Sequence, residues 1–297
     1  MVRTDSPRAT LLPDPEALSR NNFELLLRRV ADDIGFGTDE SIFVGSGLEY
    51  AQSRPYEPGD SVRQIDWKVT ARMPVAYVKQ HETLKRMSMY LLVDTSASMQ
   101  ISSTHLSKHA LAVWIAGALG LVSIRRLSPV SVLSGGSRFD RIRGDAHPSL
   151  SPDDLWRHLE PLRAKQVEET TELTKRIDSL CLKLREKSVI VVISDLFEDG
   201  VESALKKVGP KHDVIVLHLV DPSEGGNLSA GYFVGAESES NQQFLVSNRD
   251  SWNHHIDLER NLAAADVSYA RFVTDQDLVG PLRHFLMTRV SLMRGQR

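Results

Sequence analysis

The chain has 297 residues, of which 41% are hydrophobic and 25% are charged, as is typical of a globular protein with one large or two modest domains. These proportions exclude the collagen-like, coiled-coil and intrinsically disordered classes. A formal net charge of −3 gives no overall electrostatic reason to expect a nucleic acid or an anionic membrane as the main partner. The single cysteine, Cys181, excludes an intrachain disulfide and a cysteine-rich zinc site, and it fits a reducing compartment.

The N-terminal region is predicted to be a flexible tail followed by a small domain. Residues 1–15 lack the apolar core of a signal peptide, so we expect a cytoplasmic protein with a mobile tail. Residues 16–86 form the predicted N-terminal domain. It begins with a helix, indicated by apolar residues at helical spacing after Pro15. It continues with short extended pieces broken by Gly and Pro, which are typical of strands and tight turns.

The second predicted domain, residues 87–297, is an α/β domain with a doubly wound, mainly parallel sheet of the Rossmann type. Its near-continuous apolar runs are typical of strands that are buried on both faces and separated by helices. These predicted strands are residues 88–93, 130–135, 188–194, 213–220 and 266–273. Residues 231–246 interrupt the alternation and are predicted to form a hairpin.

One apolar stretch raises the question of a membrane span. Residues 110–124 carry no charge, but they fall short of the roughly 20 residues that a transmembrane helix needs, and they include two glycines. We therefore predict a helix that is buried against the sheet and no transmembrane segment. Peripheral membrane association through this stretch is the weaker alternative.

The most informative residues follow two predicted strands. The chain has no GxGxxG or GxxxxGK[ST] loop for a nucleotide, but Asp94, Ser96 and Ser98 follow the first strongly apolar strand, and Asp195 ends another. Carboxylate and hydroxyl oxygens at one edge of a sheet are suitable ligands for a divalent cation. A threonine in ETTELTKRI could add a hydroxyl or serve as a helix cap. The alternative is that both aspartates are turn and cap residues.

This pattern resembles the metal-ion-dependent adhesion site (MIDAS) of von Willebrand factor A domains, in which a DxSxS loop, a distant Thr and a distant Asp hold Mg²⁺ or a similar cation. The resemblance implies a site that binds Mg²⁺, or else Mn²⁺ or Ca²⁺. Its ligands would be Asp94, Ser96, Ser98, Thr171 and Asp195, with Thr170 as the adjacent alternative to Thr171.

An upstream segment resembles a second family hallmark. Residues 54–72, RPYEPGDSVRQIDWKVTAR, are similar to the hallmark of DUF58 proteins, which join this segment to a von Willebrand A-like domain. The hallmark residues are Arg54, Tyr56, Pro58, Gly59, Asp60, Arg63, Asp66, Trp67 and Arg72. Pro58-Gly59-Asp60 predicts a tight turn, and the two aromatic residues are expected to pack against a neighbouring element. We favour a structural Arg–Asp network here over a docking patch for a partner.

The predicted site favours binding over catalysis, because no motif supplies a nearby base, nucleophile or phosphate loop. In von Willebrand A domains an acidic side chain of the partner completes the shell of the cation. The DUF58 resemblance implies cooperation with a MoxR-type AAA+ ATPase in chaperone-like assembly or metal insertion. We therefore expect a cytoplasmic, metal-dependent protein–protein interaction factor. The alternative is a metal-dependent hydrolase that uses the same strand-end carboxylates.

Overall fold

The structure is a computed structural model that describes residues 12–35, 48–62, 65–83, 87–135, 147–164, 172–224, 232–236, 243–247 and 257–295. In chain order its elements are α1 (Arg20–Gly35), β1 (Leu48–Pro55), α2 (Trp67–Thr70), β2 (Tyr77–Thr83), β3 (Met89–Val93), α3 (Lys108–Arg125), β4 (Val130–Ser134), α4 (Pro152–Arg163), α5 (Leu173–Lys183), β5 (Val189–Ser194), α6 (Val201–Val208), β6 (Asp213–Val220), β7 (Tyr232–Ala236), β8 (Gln243–Ser247), β9 (Val267–Val273) and α7 (Val279–Gly295). Short 3-10 helices span Pro15–Ala17 and Ala97–Gln100. Residues 257–263 are also helical.

By internal packing the chain divides into a small unit, residues 43–87, and a sheet unit, residues 1–42 and 88–297. The sequence-based division, which grouped the first helix with the β-rich segment, differs at this point. Helix α1 packs against α3 of the sheet unit.

The sheet unit contains one five-stranded parallel sheet with the order β4-β3-β5-β6-β9. These are the five predicted strands, so the α/β prediction with a mainly parallel sheet is confirmed and is consistent with a Rossmann-like or von Willebrand A-like fold. β7 and β8 pair antiparallel, which confirms the predicted hairpin. Every residue of β5 and β6 is buried. The many Val and Ile residues of these strands suit this position, because the strands of a parallel sheet are covered by helices on both faces.

Helices cover both faces of this sheet. On one face, Leu92, Val192 and Val216 of three neighbouring strands belong to a cluster with residues of α5, α6 and the helical segment 257–263. Helix α3, which has no residue in this cluster, also contacts β3, β4, β5 and β6 and covers the other face. Because successive strand residues point to opposite faces, this arrangement buries both sides of each central strand.

The apolar stretch 110–124 is a core helix of the sheet unit, as predicted. Within the described part of the chain, α3 is the one helix with the length and mean hydropathy of a membrane span, and 89% of it is buried inside the protein. Two glycines allow neighbouring helices to approach it closely. A Cβ atom at Gly117 would lie 2.5 Å from Cδ2 of Leu27 in α1, and one at Gly120 would lie 2.7 Å from Cδ1 of Leu155 in α4.

An aromatic cluster joins α1 to α3 and α4. The ring centroid of Phe23 lies 4.9 Å from that of Trp114 and 6.1 Å from that of Trp156. The indole nitrogen of Trp114 donates a hydrogen bond of 2.9 Å to the carbonyl oxygen of Pro13. The segment from Pro13 through α1 is therefore fixed onto the buried helix of the sheet unit.

The small unit is built from the antiparallel pair β1–β2 and the hallmark segment. Arg54 and Asp60 form two hydrogen bonds of 2.8 and 2.7 Å, and the bond from Arg54 lowers the pKa of Asp60. The predicted tight turn is present, since Asp60 N donates to Glu57 O at 3.1 Å and Gly59 adopts a φ of 117°, which favours glycine. Asp66 accepts hydrogen bonds from two backbone amides of α2 and from the Ser53 hydroxyl.

The expectation that the two hallmark aromatic residues are packed is wrong. Trp67 is 68% exposed and Tyr56 is 38% exposed. The reason is that Trp67 begins a single helical turn, α2, which has no buried residue. Arg72 is exposed too, and Arg63 lies outside the described residues.

Candidate functional site

The candidate site lies where the connections of the parallel sheet change direction. β3 and β5 are neighbours, but the chain leaves β3 towards β4 on one side and leaves β5 towards β6 on the other. Such a switch point at the carboxyl ends of strands is the usual ligand position in open α/β sheets. Asp94 directly follows β3 and Asp195 directly follows β5, so both lie at this edge, as the sequence predicted.

Asp94 is the central residue of this edge. Its backbone nitrogen donates to Ile193 O at 2.9 Å, which continues the β3–β5 ladder and fixes the side chain at the strand end. One carboxylate oxygen accepts from Ser96 N at 2.9 Å, and the other accepts from the Ser194 hydroxyl at 2.5 Å. Asp94 is only 1% exposed, and no Lys, Arg or His of the described residues forms an ion pair with it.

The electrostatics of Asp94 follow from this burial. Desolvation and the neighbouring Asp195 carboxylate raise the pKa of Asp94 from 3.8 to about 6, although the bonds from Ser194 and Ser96 oppose the rise. The ionised form of Asp94 is therefore costly in the absence of a cation.

The two serines of the DTSAS loop are brought together. Their hydroxyl oxygens lie 3.0 Å apart, with Ser96 buried and Ser98 half-buried. Thr95, between Asp94 and Ser96, turns away, since its hydroxyl lies 2.9 Å from that of Ser134 at the end of β4. The alternation of DxSxS therefore places Asp94, Ser96 and Ser98 on one side of the loop.

Asp195 has a different environment, because a buried lysine pairs with it. The Lys108 ammonium lies 2.8 Å from Asp195 Oδ2 and 2.5 Å from Glu224 Oε1, and the Lys108 side chain has no exposed surface. Burial would lower the pKa of Lys108, but the two carboxylates outweigh burial and raise it. The next residue, Leu196, has a φ of 59°, which is uncommon for a non-glycine residue and marks a sharp turn after Asp195.

The predicted threonine ligand, Thr171, and its alternative, Thr170, lie outside the described residues. The description resumes at Glu172, whose backbone nitrogen donates to Gly135 O at 3.2 Å. Gly135 N in turn donates to Val93 O at 2.6 Å, beside Asp94. A Cβ atom at Gly135 would lie 3.2 Å from the Asp94 Cα atom, so glycine permits this close approach.

The donor chemistry fits a hard divalent cation, provided that hydroxyl oxygens participate. Within the described ranges, no group of three or more His, Cys, Asp or Glu side chains is arranged to hold a metal ion. Asp94, Ser96 and Ser98 instead offer one carboxylate and two hydroxyls, and Asp195 is close enough to influence the ionisation of Asp94. Oxygen ligands of this kind suit Mg²⁺, Mn²⁺ or Ca²⁺.

A third strand-end aspartate, Asp221, follows β6. It accepts hydrogen bonds from the backbone and hydroxyl of Ser103, and from the backbone and hydroxyl of Ser223 at 2.9 and 2.7 Å. Burial alone would raise the pKa of Asp221, but these bonds outweigh it and lower the pKa below 3.8. Asp221 therefore holds the loops after β3 and β6 together.

We expect Asp221→Ala to lower the free energy of unfolding at pH 7 by about 2–3 kcal/mol, because it leaves charge-assisted hydrogen bonds unmade. Since the folded-state pKa is below the unfolded value, the stabilisation is complete above roughly pH 4 and is lost as the pH falls further. Urea unfolding of both proteins at several pH values measures the difference. A difference that stays constant down to pH 3 would contradict this assignment.

Sequence reasoning missed three residues of this edge. Asp221 carries the signal that identified Asp195, an aspartate directly after a buried strand. Lys108 and Glu224 carry no such signal, because their contacts join distant parts of the chain. Lys108 lies 87 positions from Asp195 in the sequence, and Glu224 lies 116 positions from Lys108.

Comparisons with known proteins agree with the hallmark segment. A family model described as "Protein of unknown function DUF58" matches residues 52–261, which is more than half of the chain. Uncharacterized protein Rv1480 of Mycobacterium tuberculosis and Uncharacterized protein Mb1516 of Mycobacterium bovis are both 25% identical to this chain over 295 residues. Each alignment covers 94% of this chain and 91% of the relative.

Proposed function

The chain belongs to the DUF58 family, and we propose that it is a divalent-cation-dependent protein-interaction factor with a von Willebrand A-like metal site. The observation that carries the proposal is Asp94, a buried carboxylate beside Asp195 with no cationic partner among the described residues. An uncompensated buried charge is costly, and a bound cation would remove that cost.

The proposed ligands are Asp94, Ser96, Ser98 and Asp195, completed by Thr171 or Thr170. The anchoring of Glu172 beside the end of β3 supports the threonine. A bound Mg²⁺, Mn²⁺ or Ca²⁺ would supply a coordination position for an oxygen atom from outside the chain. Asp94 holds the serine loop through its bond from Ser96 N, and Ser194 orients its other oxygen.

A protein partner is favoured by the surface beside the site. Phe197, two residues after Asp195, is 65% exposed, and Ile101, three residues after Ser98, is exposed as well. Exposed apolar side chains next to a charged site suit the burial of a protein surface. We propose that the partner contributes an acidic residue to the cation, and that a MoxR-type AAA+ ATPase is this partner.

Calorimetric titration with Mg²⁺ and Mn²⁺ tests the metal site. We expect one cation per chain for the wild type, no binding for Asp94→Ala, and weakened binding for Ser98→Ala. The reason is that Ser98→Ala removes a neutral oxygen ligand, whereas Asp94→Ala removes a charged one. Equal affinity for wild type and Asp94→Ala would contradict the proposal.

A pull-down from lysate of the source organism, with and without chelator, tests the partner. We expect a MoxR-type ATPase to be captured only with the cation, and Phe197→Ser to lose the partner while it keeps the metal. A complex that survives both chelation and Asp94→Ala would move the docking surface to the small unit, which exposes Tyr56, Val62, Trp67, Met73 and Val75. Hydrolysis of a phosphate or peptide substrate that is lost in Asp94→Ala would favour the hydrolase instead.

A further inference from the structure

Lys108 is the most unusual charged residue of the sheet unit. It begins the apolar helix α3, and its side chain has no exposed surface. Its ammonium group pairs with Asp195 Oδ2 at 2.8 Å and with Glu224 Oε1 at 2.5 Å, and it lies 5.3 Å from the centroid of the Phe197 ring. A buried lysine is rare unless it is paired, and this one is paired twice.

The two carboxylates that share Lys108 differ in their roles. Asp195 directly follows β5 at the switch point and has a side chain that is 1% exposed, whereas Glu224 follows β6 and has a side chain that is 24% exposed. Glu224 is also tied to the end of β6, because Asp221 N donates to Glu224 Oε2 at 3.1 Å. Glu224 is therefore held in place independently of Lys108.

Four charged groups lie at and around Asp195. Asp94, Asp195 and Glu224 contribute −3 and Lys108 contributes +1, so these four groups together carry −2 when all are ionised. Removing the lysine charge changes this sum to −3, and removing the glutamate charge changes it to −1. The two changes alter the field at Asp195 in opposite directions without removing any of the proposed metal ligands.

We infer that Lys108 and Glu224 are positioning residues that set the affinity of the strand-end site for a divalent cation. The Lys108 ammonium binds one oxygen of Asp195 and therefore competes with a cation for this carboxylate. Glu224 binds the same ammonium group and so weakens its interaction with Asp195. This inference rests on the proposed function, because it assumes that Asp94 and Asp195 bind a divalent ion. It goes beyond it by assigning two residues that no metal-site motif contains.

Mn²⁺ binding to the full chain tests the inference by calorimetry and by the loss of the free Mn²⁺ paramagnetic resonance signal. We expect Lys108→Met to bind Mn²⁺ about tenfold more tightly and Glu224→Gln about tenfold more weakly, because each removes one charge near the site. The double variant Lys108→Met/Glu224→Gln restores the sum of −2 and is expected to return towards the wild-type affinity. A purely structural role would weaken binding in both single variants.

The outcomes separate the two ideas. If the wild type binds no Mn²⁺, the proposed function and the inference both fail. If the wild type binds but the single variants match it, or both weaken, the inference is overturned while the metal site stands. If Lys108→Met does not fold, Glu224→Gln decides, and an affinity unchanged or increased in that variant overturns the inference.

Discussion

Asp94→Asn is expected to stabilise the chelated protein by roughly 2–3 kcal/mol and to abolish any stabilisation by Mg²⁺. A folded-state pKa of about 6 in place of 3.8 means that the ionised carboxylate is unfavourable inside the protein at neutral pH. The amide has similar shape, removes the charge and can still bond to Ser96 N and Ser194. Urea unfolding at pH 7.5, with chelator and with Mg²⁺, measures both effects.

Asp221→Asn is the matched control, because Asp221 is equally buried at the same edge, but its bonds from Ser103 and Ser223 outweigh burial and lower its pKa, whereas the pKa of Asp94 is raised. It is expected to destabilise the protein under both conditions and to leave the response to Mg²⁺ intact. Destabilisation by Asp94→Asn in chelator would show that the Asp94 charge is compensated, and it would remove the main argument for a bound cation.

Trp114→Ala is expected to lower the free energy of unfolding of the sheet unit by about 3–5 kcal/mol. Trp114 is fully buried, packs against Phe23 with the two rings tilted and donates to Pro13 O, so its removal leaves a large cavity and an unpaired carbonyl between α1 and α3. Chemical unfolding followed by circular dichroism measures the loss.

Trp67→Ala removes the same side chain from an exposed position and is the comparison for this experiment. We expect a change within about 0.5 kcal/mol, as is usual for surface substitutions. Equal losses in the two variants would mean that the Trp67 indole is buried in solution, and a small loss for Trp114→Ala would mean that α1 does not pack on α3.

The strands, and the position of the two aspartates at one edge of the sheet, could be predicted because their sequence signals are local. Runs of Val and Ile long enough to be buried on both faces predict parallel strands, and an aspartate directly after such a run lies at the carboxyl edge. The same logic predicted that Asp94 and Asp195 share an edge, and the register of β3 beside β5 confirms this. The apolar stretch 110–124 was predicted as a core helix from its length and its two glycines, Gly117 and Gly120, which explain its close packing.

The environment of those residues was decided by the tertiary structure. Lys108 meets Asp195 and Glu224 only because α3, β5 and β6 end at the same edge of the sheet, and no local pattern encodes contacts over such separations. The exposure of Trp67 was likewise not predictable from its amphipathic character, since it depends on whether another element covers a one-turn helix. Burial and ion pairing are properties of assembled elements. The sequence by itself therefore determined the strands and the edge at which the aspartates lie, whereas tertiary packing alone decided that Asp195, and not Asp94, forms an ion pair with a lysine.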